Sequence, residues 1–473
     1  MHPDEFRRHA HQLVDWMADY FANAGDLPIT PNVQPGDIAR RLPSAAPEQG
    51  EAFERLFADF QSIIMPGMTL WNHPGWFAYF PGNTSPPSVL AEMLTATLSA
   101  QCMSWATSPA ATELEQVMME WLRQMIGLSE EFVGSIQDTA STATLVALLS
   151  ARERATGFAA GVRGVSRTDA PLTVYASTEA HSSVDKAVKL AGYGLDQLRR
   201  IPVQADYAMR TEALDQAISL DVGAGCVPAC VIATVGSTSS TAIDPVPAIA
   251  EVCRRHGVWL HVDAAYAGTA AIVPELRHLF SGMDQADSVV FNPHKWMLVN
   301  LHCTAYFVRD RETLLRTFQA TPEYLRTTQD ADVTNYRDWG IQLGRRFRAL
   351  KLWFVLRSYG VEALRRLVRT HVKLAGELAS WIESSDDFEL MAPVPLGLVC
   401  FRYHPRGVTD DSELDRINRT LLSRVNSSRR VYLTHTQLGG RYVIRLVVGQ
   451  RQTERSHVEE AWQLIQDSVK SLD

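Results

Sequence analysis

At 473 residues the chain exceeds the ~250 to 300 residues at which a single core stops growing, so one large domain with smaller ones attached is expected. A hydrophobic share of 46% and a charged share of 21% are those of an ordinary globular protein and exclude wholesale disorder. The net charge of −8 gives no electrostatic footprint for nucleic acid or an anionic membrane, and no run approaches the ~20 apolar residues that span a bilayer. The opening MHPDEFRRHAHQLVDW lacks an uninterrupted signal-peptide core, so a cytoplasmic location is expected.

Phe6, Ala10, Leu13, Val14, Met17 and Phe21 recur at helical spacing, predicting an amphipathic helix over 3–23 whose apolar stripe needs a cover outside itself, such as a partner subunit. The stretch LPITPNVQPGDIARRLPSAAP reads as an extended, wrapping linker, and residues 1–85 together form an N-terminal arm. From 86 to 360, the β-rich runs LTVYAS, ACVIATV, VWLHVDAAY, DSVVFN and CTAYFV alternate with helical segments such as VPAIAEVCRRHG, which predicts an α/β domain around a mainly parallel, buried sheet. Beyond 360 comes a helical stripe of Leu364, Leu367, Val368, His371, Leu374, Ala375, Leu378 and Ile382. The strand-like runs LVCFRYH, RVYLTH and RYVIRLVV follow, predicting a smaller α+β domain over 361–473. Six cysteines are scattered, and Cys226 with Cys230 lacks the second pair that a zinc site requires, so all read as buried free thiols. The basic run at Arg345, Arg346 and Arg348 reads as ion pairs or a solvated face.

Chemistry-bearing residues fall at the joints of these elements. Asp138-Thr139-Ala140-Ser141-Thr142 stands before the run ATLVALLSARERA, where N–H groups and hydroxyls at a helix start would bind an anion. Taken alone it is a capped helix. His181 follows the strand LTVYAS, and Ser237 and Thr238 follow ACVIATV. Asp263 closes a buried strand, where open α/β sheets place ligand sites, and small Ala264 and Ala265 would let a flat ring lie close. With His261 it would also make an H-x-D metal pair, but no further ligand cluster completes a shell.

The sharpest feature is Asn292-Pro293-His294-Lys295-Trp296, set between the β-run 287–291 and the apolar Met297-Leu298-Val299. Burial disfavours the ammonium form of a lysine and leaves an amine able to attack an aldehyde, which is Schiff-base chemistry. Pyridoxal 5'-phosphate needs such a lysine, an acid for its pyridine nitrogen and an anion site for its phosphate, and Asp263 and the 138–142 segment supply the latter two.

In this order the motifs resemble the pyridoxal-phosphate-dependent group II decarboxylases, specifically the aromatic-L-amino-acid decarboxylase family. The likeness also runs through WFAYFPGNTSP near residue 80, SPAATELEQVMMEWL from 108 and LGRRFRALKLWFVLRSYGV from 343. The resemblance implies the fold type I, aspartate-aminotransferase-like architecture, pyridoxal 5'-phosphate as cofactor, a small amino-acid substrate, and a homodimer with active sites at the interface. It assigns Lys295 to the covalent cofactor link, Asp263 to the pyridine nitrogen, and Thr139, Ala140, Ser141 and Asn292 to the phosphate. Thr238, Ala265 and His294 would line the site, His181 would stack on the ring, and Tyr324 in TPEYLRTT would protonate the substrate carbon after CO₂ leaves. The polar segment 318–340 reads as a lid.

For the substrate, the same likeness points to Trp71, Tyr79 and Phe80 as an aromatic wall, with Gln101 and Met103 contributed across the dimer interface. Animal relatives carry threonine at the position of Gly82, an apolar residue at Gln101 and phenylalanine at Met103. Here Asn83 and Thr84 are next in line for the substrate carboxylate. Gly344 stands where some plant relatives that prefer phenolic substrates have serine, and it leaves room for an indole. Relatives that make aldehydes often change the tyrosine or the histidine, and this chain keeps both. The expected reaction is therefore decarboxylation of an aromatic L-amino acid, of the L-DOPA, tyrosine, tryptophan or 5-hydroxytryptophan class, to its amine. Alternatives are a same-fold decarboxylase of histidine, glutamate or aspartate, and an aromatic aldehyde synthase. Acidic substrates would call for a cationic contact that the segment around Phe80 does not offer, and intact Lys295, His181 and Tyr324 argue against a cofactor-binding regulator without turnover.

Overall fold

The computed structural model describes residues 1–320 and 332–471. Seven strands form the central sheet: β1 (Val133–Gln137), β2 (Leu172–Ser177), β3 (Leu198–Ile201), β4 (Val227–Thr234), β5 (Trp259–Asp263), β6 (Ser288–Phe291) and β7 (Thr304–Val308). Their order is β1-β7-β6-β5-β4-β2-β3, and all run parallel except β7, which is antiparallel to both neighbours. The five apolar runs of the sequence become β2 and β4 to β7, with every residue of β2, β5, β6 and β7 buried because helices cover both faces.

Two strands lie outside those runs. Leu198–Ile201 is a short edge strand carrying two arginines, and Val133–Gln137 has no apolar run at all. In the latter, Gly134 is required by packing: an added Cβ would sit 2.9 Å from Phe307 and closer still to Met119 of the covering helix Pro109–Ile126.

The helix Arg348–Glu383 leaves the large domain and breaks at Gly360 (φ 71°, ψ 159°), a conformation open mainly to glycine. Its second half buries Leu364, Val368, His371, Leu374, Ala375, Leu378 and Ile382. The antiparallel sheet beyond it contains β8 (Phe388–Leu390), β9 (Leu398–Tyr403), β10 (Thr434–Leu438) and β11 (Arg441–Val447), ordered β10-β11-β9-β8. The run RVYLTH is a strand only from Thr434 onward. Before that point the chain pairs with the arm instead: Tyr432 N–H donates to Gly75 O (3.2 Å) and accepts at its own carbonyl from Phe77 N–H (3.0 Å).

The predicted helix 3–23 appears as Pro3–Asn23, and its Trp16 packs edge-on against Phe57 and Phe60 while Phe6 remains 60% exposed. The linker after it has a single 3₁₀ turn at Ala39–Arg41. All six cysteines are free. Arg345 makes a buried bidentate pair with Glu115 (2.6 and 3.1 Å), and Arg346 pairs with Glu92 (2.6 Å). Among the described residues, no helix is long and apolar enough to cross a membrane.

Candidate active site

Parallel strands expose their carboxyl ends on one edge of the sheet, and it is there that β4, β5 and β6 deliver Thr234, Asp263 and Asn292 to one cavity of about 240 Å³. The chain then turns sharply at Pro293. Trp296 is fully buried, stacked on Tyr266 at 4.6 Å, with its indole N–H donating to Nδ1 of His371 at 2.8 Å. That anchor, together with Asn83 Nδ2 donating to Lys295 O (2.8 Å), sets the Lys295 side chain into the cavity wall. Lys295 keeps some surface because it borders the cavity, yet protein surrounds its amine and burial pushes its pKa below the usual lysine range, opposed by the nearby Asp263 carboxylate.

Asp263 is itself buried, and its Oδ1 accepts from Ala265 N–H at 2.9 Å. Its negative charge also acts on His181, whose pKa burial lowers and Asp263 partly restores. Ser183 N–H approaches Nδ1 of His181 at 3.1 Å and its hydroxyl lies at 2.8 Å, so the backbone N–H assigns Nδ1 as the acceptor nitrogen and leaves Nε2 to carry the proton.

Opposite, Thr139 is the N-cap of the helix Ala140–Ala155, its Oγ1 accepting from Thr142 N–H at 3.3 Å. The first-turn N–H groups of Ala140 and Ser141 belong to the donors that every helix start leaves over. Asn292 accepts at Oδ1 from Thr304 (2.8 Å), which directs its amide NH₂ elsewhere, and Thr238 completes that side. A buried amine, a buried carboxylate, an imidazole and a helix start with hydroxyls around one small cavity are the groups that pyridoxal 5'-phosphate requires for its aldehyde, pyridine nitrogen, ring and phosphate. Among the described residues, no three His, Cys, Asp or Glu side chains are grouped to hold a metal, and His261 donates to or accepts from Ser288 at 2.9 Å instead.

The cavity thus gathers Thr139, Ala140, Ser141, His181, Thr238, Asp263, Ala265, Asn292 and Lys295, with Phe80. His294 is not among the residues that line this cavity; its Nδ1 lies 2.7 Å from Cys303 O and 3.0 Å from Cys303 N, and burial pushes its pKa down to about 3. Ser237 is likewise turned inward, accepting from Ala242 N–H at 3.1 Å. Asn83 is unsuited to hold a carboxylate, since its amide donates to Lys295 O and Gly449 O and accepts from Arg451 N–H.

The other expected substrate residues are dispersed. Trp71 (42% exposed) and Tyr79 (50% exposed) stack on each other at 5.3 Å outside the cavity, and a Cβ at Gly82 would lie 3.5 Å from the Trp71 ring. Gln101 accepts at Oε1 from Arg345 N–H (2.8 Å) and faces Gly344, while Met103 O accepts from Arg337 N–H (2.8 Å); none of the three is in the cavity wall. Tyr324 lies outside the described residues. Ser183, Thr234, Gly236 and Tyr266 join the wall without having been singled out, although Ser183 and Tyr266 stand two and three positions after His181 and Asp263.

Residues 35–404 match the family model described as the pyridoxal-dependent decarboxylase conserved domain. The aromatic-L-amino-acid decarboxylase of Bos taurus is 43% identical over 485 residues, covering 100% of this chain and 97% of that one. Phenylacetaldehyde synthase of Arabidopsis thaliana is 40% identical over 484 residues, with the same coverage. The crystal structure of Oryza sativa TDC with PLP and tryptamine superposes with a TM-score of 0.96 at 37% identity, over 100% of this chain and 99% of that one.

Proposed function

The chain belongs to the pyridoxal-dependent decarboxylase family and is a carboxy-lyase dependent on pyridoxal 5'-phosphate, and from this we propose that it converts an aromatic L-amino acid to the corresponding amine and CO₂. The observation that carries the aromatic reading is Phe80. It is buried in the cavity wall, stacked on Tyr266 at 3.9 Å, with its ring centroid 5.3 Å from Lys295 Nζ, so an aromatic face borders the space beside the reactive amine.

Bound at this site, pyridoxal 5'-phosphate supplies an electron sink for the pair released when the Cα–carboxylate bond breaks. Lys295 would hold the cofactor covalently, and its depressed pKa would suit its amine to exchange with that of a substrate. Asp263 would present its carboxylate to the pyridine nitrogen and favour the protonated form, an electrostatic contribution expressed mainly in the transition state. Thr139, Ala140, Ser141, Thr238 and Asn292 would hold the phosphate with hydroxyls, an amide and N–H groups. His181 would pack against the cofactor ring, its Nε2 carrying a proton available to substrate. Tyr324 delivers the proton to Cα after CO₂ departs. Phenylacetaldehyde synthase among the relatives supports a second reading, aldehyde formation, in which that proton arrives late and oxygen reacts first.

A homodimer is part of the proposal. The N-terminal helix and the segment around Phe53 to Phe60 line an open apolar cleft of about 710 Å³ that includes Phe6, Leu13 and Met17, and a second copy would cover it. In such a dimer Gln101, Met103 and Gly344 would serve the partner's cavity. Light scattering should return twice the chain mass, and a monomer with full activity would remove this part. The main test is a panel of kcat/KM values over L-DOPA, tyrosine, tryptophan, 5-hydroxytryptophan and phenylalanine, with amine, aldehyde and peroxide quantified. Amine without peroxide from at least one of them is expected; turnover of histidine or glutamate alone would overturn the reading.

A further inference from the structure

Arg445, on β11, is a cation buried to 4% exposure, and among the described residues no carboxylate pairs with it. Its charge is met by backbone instead. Nη2 donates to Thr238 O (2.7 Å) and reaches Tyr79 O (3.5 Å), Nε donates to Ser239 O (3.3 Å), and Nη1 donates to the Thr434 hydroxyl (3.0 Å). Thr434, its direct cross-strand neighbour on β10, in turn accepts from Tyr79 N–H at 3.3 Å. The pair therefore holds both polar groups of the Tyr79 peptide backbone. Tyr79 has φ 54°, a left-handed conformation that a bulky residue adopts only when its surroundings hold it. That turn swings Tyr79 outward and Phe80 into the cavity, where the Phe80 ring centroid lies 5.5 Å from the Arg445 guanidinium carbon.

We propose that Arg445 and Thr434 are positioning residues for substrate discrimination: from the small domain they fix the strained Tyr79 turn that presents Phe80 to the substrate ring, while Arg445 alone also fixes the Thr238 loop on the cofactor side. The inference rests on the aromatic-substrate reading above. A guanidinium is required because its planar fork serves four acceptors at once, which an ammonium cannot do with the same geometry.

The two roles separate in kinetics. Thr434→Val, nearly isosteric, removes the acceptor shared by Tyr79 N–H and Arg445 Nη1 but leaves the Arg445 bonds to Thr238 O and Ser239 O in place: KM for the preferred aromatic amino acid should rise about 10-fold with kcat changed less than about threefold, and the ratio of kcat/KM between two aromatic substrates should shift. Thr434→Ser keeps the hydroxyl and should restore wild-type KM. Arg445→Lys should raise KM in the same way and also weaken cofactor retention on dialysis; if that variant fails to fold, the Thr434 pair still decides. Replacing Phe80 by 4-fluorophenylalanine gives a direct readout, with one ¹⁹F resonance expected in the holoenzyme and a shifted or divided one in Thr434→Val. Wild-type KM and an unchanged ¹⁹F line in Thr434→Val would overturn the proposal, as would Thr434→Ser behaving like Thr434→Val. Absence of aromatic turnover in the wild type would sink the substrate reading alone, since the ¹⁹F comparison still tests the turn.

Discussion

Strand ends build the proposed cofactor half of the site, whereas the proposed substrate half draws on a turn in the arm, the segment near residue 101 and the approach to the long helix. In the first half, Thr234, Asp263 and Asn292 leave adjacent strands at one edge of the sheet and reach the same cavity within a single chain. In the second, only Phe80 reaches that cavity, while Trp71, Tyr79, Gln101, Met103 and Gly344 lie apart from it. The difference follows from architecture. A parallel sheet fixes the relative positions of its strand ends through backbone pairing, so chemistry placed there is held tightly. Residues on turns and segment ends take their positions from packing against distant segments, so they are held less tightly than those at strand ends.

The largest expected effect tests the rigid half. Lys295→Ala removes the only amine that lines the cavity among the described residues, so turnover and the visible absorbance of bound cofactor should both vanish; decarboxylation near the wild-type rate would end the assignment. Asp263→Asn comes next. It preserves shape and keeps an oxygen that can accept from Ala265 N–H, but it deletes the charge that acts on Lys295 and His181. A fall in kcat on the order of 100- to 1000-fold is expected with KM changed much less, measured by single-turnover kinetics. Equal losses in kcat and binding would mean that Asp263 is a scaffold residue only.

The same contrast explains how much of the molecule could be read in advance. Lys295, Asp263 and Thr139 were legible because each closes an apolar strand or opens a helix, where sequence pattern and chemistry coincide. Val133–Gln137 was not legible, because its Gly134 is demanded by contact with Met119 and Phe307, which are distant in sequence. The beginning of RVYLTH has a strand-like pattern but pairs with Gly75 and Phe77 of the arm, a tertiary competition that no local pattern records. His294 stands beside Lys295 in sequence and yet turns to Cys303, since adjacent residues on a tight helical turn face different ways. Arg445 carried no signal at all, as its partners are carbonyls from two separate segments and a hydroxyl from a third.

A smaller effect is expected in the dispersed half. A Cβ at Gly344 would lie 3.4 Å from Gln101 Nε2, an ordinary contact that calls for no rearrangement. Gly344→Ser should therefore fold normally and shift the tryptophan-to-tyrosine ratio of kcat/KM about 10-fold towards tyrosine, because one group in a pocket is worth about 1 to 3 kcal/mol. An unchanged ratio would separate Gly344 and Gln101 from substrate recognition and confine discrimination to Phe80 and its turn.

The smallest effect, a change of stability with pH, also distinguishes the halves. Burial pushes His294 down to about 3 and His371 to about 4, and both flank the Lys295 turn, one by sequence and the other through Trp296. An unfolded imidazole titrates near ~6.5, so between that pH and about 4 the unfolded chain binds protons that the folded chain refuses. Stability from these groups is therefore complete above pH 6.5 and is lost as pH falls. Asp244 opposes them: burial raises it to about 6, so its contribution is present at low pH and disappears as pH rises through about 6. With two imidazoles against one carboxylate, and His261 at about 4 adding a third, the histidines prevail and the thermal midpoint should fall steadily on acidification from pH 6.5 towards 4. Because these histidines pack behind the cofactor pocket, cofactor release followed by absorbance should track that fall. His371→Phe removes one titrating group and should flatten the slope, whatever it does to the midpoint at pH 7 through the lost Trp296 hydrogen bond. A slope unaltered by His371→Phe would place the acid sensitivity elsewhere, away from the half of the site built on strand ends.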